Sequence, residues 1–172
     1  GNVQGSIVSL QNQTYDIVTP RLSGNDLILL DVNRVDAPSS NTNGGLILNG
    51  NVAGSLVYIQ NSGANGITSN SSISSLSDVM ITNNNGNVNL VSGDIFGENV
   101  IVSNSNKAGS LTANSNINAS NLALIENAGN GDMTVGGNVQ GALVSLQNQT
   151  YDIETPRYVT QSNGLITLGV TR

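Results

Sequence analysis

The chain contains no cysteine, no histidine and no tryptophan among its 172 residues. Without cysteine it can form no disulfide, no thiolate metal site and no cysteine nucleophile. Without histidine it lacks the most frequent general base and metal ligand of enzymes. We therefore expect no cofactor, no bound metal and no catalytic activity.

Charged and aromatic residues are also scarce, at 9% and 3% of the chain, and the formal net charge is −6. The five basic residues are scattered and form no patch for a phosphate backbone, so nucleic-acid binding is not expected. No apolar run reaches the roughly 18 residues that a membrane-spanning helix needs, so membrane insertion is not expected either. The 20 glycines and the many asparagines oppose helix formation.

What the chain does contain is apolar residues that recur every 21 or 22 positions. The first column is Val52, Ile73, Ile95, Ile117 and Val139, and a small residue follows each member two positions later. The second column is Val57, Val79, Val100, Leu122 and Val144, and each member has an apolar partner two residues on. A third, looser column contains Leu46, Ile67, Val88, Leu111 and Met133.

Alternation of apolar and polar residues with a period of two is typical of strands. About three short strands in each repeat predict an all-β fold, a right-handed parallel β-helix with about 22 residues per coil. We expect one β-helix segment over residues 1–172, with about seven or eight coils and a length of roughly 35 Å.

A column of asparagines supports this interpretation. Asn12, Asn61, Asn83, Asn104 and Asn148 each follow the last apolar residue of a strand by two positions, and Glu126 interrupts the series. Stacked amides can hydrogen-bond to one another along the axis of such a structure. Alternatively, asparagine is present only because it tolerates left-handed turn conformations. Both interpretations place these residues at corners of the coil.

Two segments of the chain are nearly identical. Residues 1–21 and 137–157, which are 136 positions apart, differ only at Ser6/Ala142, Ile7/Leu143 and Val18/Glu154. Because the intervening coils diverge while keeping the apolar pattern, structural constraint alone does not account for this identity. We expect the chain to be slightly more than one unit of a longer tandem array.

Each duplicated segment is expected to lead into a loop excursion. From Val139 to Val170, the next candidate for the first column, there are 31 positions, about nine more than one coil requires. The loops could contact a partner through Tyr15, Arg21, Tyr151 and Arg157, which would make the chain a carbohydrate- or host-receptor-binding module. Alternatively, they only cover the side of the rod.

Enzymes also occur on parallel β-helices, and glycoside hydrolysis needs two carboxylates on one face. Asp94 has only Ser72 and Asn116 at the corresponding positions of the neighbouring coils, and Glu126 stands alone among asparagines. An ice-binding surface would need a flat, regular array of threonine, and Thr68, Thr82, Thr112 and Thr134 do not form a constant column. The sequence therefore favours a structural function.

The phrases GGLILNGNVAGSLVYIQNSG, GSLTANSNINASNLALIENAG and GDMTVGGNVQGALVSL, together with Asn-Gln-Thr-Tyr at 12–15 and 148–151, resemble large exported adhesins of the filamentous haemagglutinin type. The resemblance implies a β-helical rod that is secreted or anchored at the cell surface, in many members through two-partner secretion. It implies no catalytic residue in the shaft. We therefore expect a structural shaft segment of an extracellular filament or surface adhesin, whose partners are its own copies or adjacent repeats end to end, with glycans or host surfaces as further candidates.

Overall fold

In the computed structural model the protein is an all-β solenoid of parallel strands with about 22 residues per turn. The structure describes residues 45–148 throughout, and outside that range it describes only the backbone of the strands at 3–12, 17–18, 22–23, 28–32, 153–154 and 158–170. About five turns lie in residues 45–148. The predicted all-β solenoid and its repeat length are confirmed.

The strands are β1 (Val3–Asn12), β2 (Ile17–Val18), β3 (Leu22–Ser23), β4 (Ile28–Val32), β5 (Gly45–Leu48), β6 (Val52–Asn61), β7 (Gly66–Ser69), β8 (Ile73–Ser75), β9 (Asp78–Asn83), β10 (Val88–Leu90), β11 (Asp94–Asn104), β12 (Leu111–Ala113), β13 (Asn116–Asn127), β14 (Met133–Val135), β15 (Val139–Asn148), β16 (Ile153–Glu154) and β17 (Tyr158–Val170).

Each coil contributes to two sheets. The short strands β5, β7, β10, β12 and β14 form the central part of a seven-stranded sheet, and the longer strands belong to a ten-stranded sheet. In most coils the first two expected strands are one continuous strand that crosses a corner, as in β6, whereas in the second coil they are separate as β8 and β9. Small residues occupy the corner, and Gly54 there is in register with Ser75 of the next coil. Their small side chains allow the backbone to bend sharply while the strands remain paired up to the corner.

The first apolar column lies inside the solenoid. Val52 pairs with Ile73, Ile73 with Ile95, Ile95 with Ile117, and Ile117 with Val139, and all five side chains are fully buried. Identical or similar aliphatic side chains therefore stack directly above one another, one per coil. Fully burying such a side chain stabilises a fold by about 1.5–3 kcal/mol.

The second column differs from the sequence prediction at one coil. Val57, Val79, Val100 and Val144 are buried and in register, but Ala123, not Leu122, lies between Val100 and Val144. The prediction for Leu122 was wrong because this coil has one additional residue at its corner. Val57 follows Val52 by five positions, whereas Ala123 follows Ile117 by six. The pairing register shifts between Asn118 and Leu122, which leaves Leu122 half-buried on the outside.

The short sheet supplies the third column and closes the core. Leu46, Ile67, Val88, Leu111 and Met133 are in register and fully buried. A second inward position of these strands holds Leu48, Ser69, Leu90, Ala113 and Val135. Ser69 is the polar member, and its Oγ donates to the backbone oxygen of Ser71 at 3.2 Å. This column is thus aliphatic except for one hydroxyl, which has a hydrogen-bond partner.

The duplicated segments occupy comparable positions in the long sheet. β1 pairs with β6 so that Asn12 is in register with Asn61, and β15 pairs with β13 so that Asn148 is in register with Asn127. The pairing of β15 with β17 differs from the sequence prediction. Tyr158, 19 positions after Val139, is the register partner of Val139, and Val170 pairs with Asn148 instead. Val170 is therefore not a member of the first column.

Candidate functional site

The most regular polar feature is a ladder of buried asparagine amides inside the solenoid. Each Nδ2 donates to the Oδ1 of the asparagine one coil further along the chain. The four bonds are Asn61 to Asn83 at 2.8 Å, Asn83 to Asn104 at 3.0 Å, Asn104 to Asn127 at 3.0 Å, and Asn127 to Asn148 at 3.2 Å. All five side chains are buried. The amides therefore form one chain of hydrogen bonds with a single direction along the axis.

The same amides also hold the turn that follows each long strand. Nδ2 of Asn61 donates to the backbone oxygen of Gly63 at 2.8 Å, and Nδ2 of Asn127 donates to that of Gly131 at 2.9 Å. The amide of Asn83 bonds the oxygen of Gly86 in the same way. Of the two interpretations of the asparagine column, stacking of amides is present, and the amides of four members also hydrogen-bond to the turn that follows them.

Glu126 does not interrupt this ladder, contrary to the sequence prediction. The additional corner residue of that coil moves Asn127 into the position between Asn104 and Asn148. Glu126 is in register with Ser103 and Gln147 on the outside of the long strand. The sequence signal that identifies Asn127 is the alternation of Ala123, Ile125 and Asn127, which matches Val100, Val102 and Asn104. Asn12 is in register with Asn61, but its side chain lies outside the described part.

Two carboxylates of the rod accept hydrogen bonds from asparagine amides of the next coil. Oδ1 of Asp94 accepts a hydrogen bond from Nδ2 of Asn116 at 2.8 Å, and Oδ1 of Asp78 accepts one from Nδ2 of Asn99 at 2.7 Å. Within the described residues no group of three or more Asp, Glu, His or Cys side chains could hold a metal ion. Both hydrogen bonds join neighbouring coils and therefore support their stacking.

A regular polar column runs along the outer side of the short sheet. Thr68, Asn89, Thr112 and Thr134 are successive register partners, and Ile47 precedes them. Three of the four threonines thus share one column, but the four form no constant array, because Asn89 lies between Thr68 and Thr112. Thr82 lies on the long sheet, in register with Gln60 and Ser103.

Large apolar side chains are exposed at a few places. Leu76 is 86% exposed at a corner of the second coil, and Phe96 is 43% exposed on β11. Val91, which directly follows β10 in the short sheet, is 48% exposed. Single exposed apolar residues are ordinary, but a contiguous group of them marks a candidate contact surface.

The residues predicted to contact a partner, Tyr15, Arg21, Tyr151 and Arg157, lie outside the described residues. Strands adjoin these positions at both copies, since β2 pairs with β5 and β16 pairs with β14 in the short sheet. Part of each expected excursion is therefore a strand of the solenoid. In the part of the chain that the structure covers, no helix has the length and apolar character to cross a membrane.

Comparison with known proteins gives no relative from which a function could be transferred. No protein-family model matches the chain, and neither a curated protein nor a solved structure shows significant similarity to it.

Proposed function

We propose that this chain is a structural segment of a long extracellular shaft, of the kind found in filaments and surface adhesins. The observation that carries the proposal is the uninterrupted stack of coils in residues 45–148, in which three aliphatic columns and one asparagine ladder continue from coil to coil. A solenoid of this type transmits force along its axis through many parallel backbone hydrogen bonds. Its stability is approximately a sum of interfaces between neighbouring coils.

The near-identity of residues 1–21 and 137–157 supports extension of the same stack beyond one unit. Eight of the ten residues of β1 are identical to those of β15, and both strands place an asparagine in register with the ladder. A tandem array of 136-residue units would therefore keep the coil geometry from one unit to the next. Adjacent units, or separate copies of the chain, are the proposed end-to-end partners, because strand edges at the ends of a stack favour such pairing.

Export to the outside of the cell or to its surface is part of this proposal. The supporting observations are the resemblance to filamentous haemagglutinin-type adhesins, the absence of cysteine, and the low content of charge. A chain without thiols can be exported unfolded without forming incorrect disulfides.

The test is to measure the length of proteins with one, two and three 136-residue units by electron microscopy. Each added unit of about six coils should lengthen the rod by roughly 29 Å, since coils stack about 4.8 Å apart. A bead-like particle, or a length that does not grow with the number of units, would contradict the shaft. Sedimentation of the single chain at increasing concentration tests end-to-end association separately.

A second function is favoured by the duplication of Asn-Gln-Thr-Tyr-Asp between equivalent strands. The asparagine ends β1 in one copy and β15 in the other, and the next four residues precede β2 and β16. In this alternative the chain binds glycans or a host receptor through Tyr15 and Tyr151. A glycan array of the natural chain against the Tyr15→Ala/Tyr151→Ala variant distinguishes the two functions, because a pure shaft has no binding to lose.

A further inference from the structure

The two outer faces of the solenoid differ in chemistry. On the short sheet, the outer column contains Thr68, Asn89, Thr112 and Thr134. On the long sheet, the equivalent outer column is apolar over four coils. Tyr58 pairs with Met80, Met80 with Ile101, and Ile101 with Leu124, and each of these side chains is only partly buried. One side of the rod therefore presents a continuous apolar column to its surroundings.

Two exposed apolar side chains, Leu76 and Phe96, lie closer to the corner than this column. Leu76 lies at the corner between β8 and β9, and its backbone nitrogen donates to the oxygen of Gly54. Phe96 lies on the next coil, where its register partner is Ser74, two positions before Leu76. We name the six residues Tyr58, Leu76, Met80, Phe96, Ile101 and Leu124 the apolar strip. Keeping such side chains in contact with water costs free energy that a binding partner would recover.

Acidic side chains border the apolar strip. Asp78 lies between Leu76 and Met80, Glu98 follows Phe96 by two positions, and Glu126 follows Leu124 by two. Glu98 is exposed, and Asp78 and Glu126 are half-buried. Lys107 is the only lysine or arginine between residues 45 and 148, and it lies in the turn beyond the end of β11. The charged residues within two positions of the apolar strip in sequence are therefore all acidic.

We propose that the apolar strip is a docking surface for a segment of another protein that combines apolar with basic side chains. Electrostatic complementarity selects this occupant, since a basic segment would place its charges against Asp78, Glu98 and Glu126. A second copy of the chain would oppose carboxylates to carboxylates, and an anionic lipid surface would meet the same repulsion. This proposal does not depend on the shaft function.

The experiment measures binding of two fluorescent amphipathic peptides to the full chain by anisotropy, at low and at high salt. One peptide alternates leucine with lysine, and the other has glutamate in place of every lysine. We expect the lysine peptide to bind, the glutamate peptide not to bind, and added salt to weaken binding because it screens exposed charges.

Matched variants locate the site. Leu76→Ser with Phe96→Ser should weaken binding at least about tenfold, which corresponds to the loss of two exposed apolar contacts. Val91→Ser is the control. It removes a 48% exposed apolar side chain directly after β10, a strand of the short sheet, and it should change the affinity less than about twofold. Glu98→Gln should weaken binding and reduce its dependence on salt. Because these side chains are exposed, circular dichroism of every variant should match that of the natural chain.

Three results would overturn the proposal. They are equal binding of the two peptides, an equal loss of binding in Val91→Ser, and self-association in sedimentation that disappears in the Leu76→Ser/Phe96→Ser variant. The last result would identify a second copy as the occupant. None of them alters the rod length measured for tandem units, so failure here and failure of the shaft function can be distinguished.

Discussion

Nδ2 of Asn104 donates a hydrogen bond to Oδ1 of Asn127 at 3.0 Å, although the two residues are 23 positions apart in a chain whose other ladder partners are 21 or 22 apart. The ladder thus keeps its geometry across a step that is two residues longer than the 21-residue steps on either side of it. One additional residue lies at the corner, where the pairing register shifts, and the interior positions stay aligned. Hydrogen bonding inside the rod, more than constant spacing in the sequence, defines which residues are equivalent.

The asparagine ladder should contribute strongly to stability. Asn104→Ala removes the bonds to Asn127 and to the backbone oxygen of Ser110, and it leaves buried polar atoms without a partner. We expect a loss of about 2–4 kcal/mol in the free energy of unfolding, measured by urea denaturation. Asn84→Ala is the control, since its amide makes an exposed bond to Ser62 and its loss should cost at most about 0.5 kcal/mol. Equal effects of the two substitutions would argue against a structural ladder.

The corrected register of the fourth coil makes opposite predictions for adjacent residues. Ala123→Asp introduces a carboxylate at a fully buried position, and it should cost several kcal/mol or prevent folding. Leu122→Asp places the charge on the outside, where it should cost about 1 kcal/mol or less. Thermal unfolding followed by circular dichroism measures both variants. A larger effect of Leu122→Asp would restore the register expected from the sequence alone.

Ser115 is buried, and its Oγ has no hydrogen-bond partner in the structure. Because an unpaired buried hydroxyl is unfavourable, Ser115→Ala should leave the free energy of unfolding unchanged or raise it by up to about 1 kcal/mol. Ser71, also buried, donates from Oγ to the backbone oxygen of Leu48 at 3.3 Å. Ser71→Ala should therefore lower stability by about 1 kcal/mol. Comparable destabilisation by the two substitutions in urea denaturation would show that Ser115 is satisfied in solution.

Gly66 has a positive φ of 73°, and a Cβ atom built there would lie 2.0 Å from the backbone oxygen of Asn87. Gly66→Ala should therefore destabilise the chain by at least about 2 kcal/mol, because both the backbone conformation and the neighbouring coil oppose a side chain. Gly97→Ala is the control. Its Cβ would meet its nearest atoms at 3.0 Å, and its register partner is Ala119, which already carries a methyl group. A melting temperature for Gly66→Ala no lower than that of Gly97→Ala would contradict the close packing of this turn.

The sequence predicts most of this fold because a solenoid repeats its constraints in every coil. Val52, Ile73, Ile95, Ile117 and Val139 are identifiable from spacing alone, since their corner residues are small and their distances are constant. Spacing alone favours Leu122 over Ala123, because Leu122 lies 22 positions from both Val100 and Val144. The position of the additional corner residue depends on backbone pairing, which spacing does not show. The signal that corrects it is Asn127, which needs an amide partner in both neighbouring coils.

Surface chemistry was less accessible from the sequence than the core. Tyr58, Met80, Ile101 and Leu124 fall into one outer column only when the register of every coil is known, and the shifted register of the fourth coil hides Leu124 among the expected inward residues. The same holds for Thr68, Thr112 and Thr134, which share a column with Asn89. Tyr15, Arg21, Tyr151 and Arg157 remain predictions, since they lie outside the described residues.

The measurement that tests the central claim most directly is the distance between spin labels along one outer column. Because the chain has no cysteine, single labels can be placed without removing any native thiol. Labels at Thr134 and Ile47, which are four coils apart in the short sheet, should show a mean backbone separation of about 19 Å, and labels at Thr134 and Thr68 about 14 Å. A constant step of one strand spacing per coil is the result we predict. If the two label pairs do not differ by about one strand spacing, or if either separation exceeds about 30 Å, successive coils do not stack on a common axis.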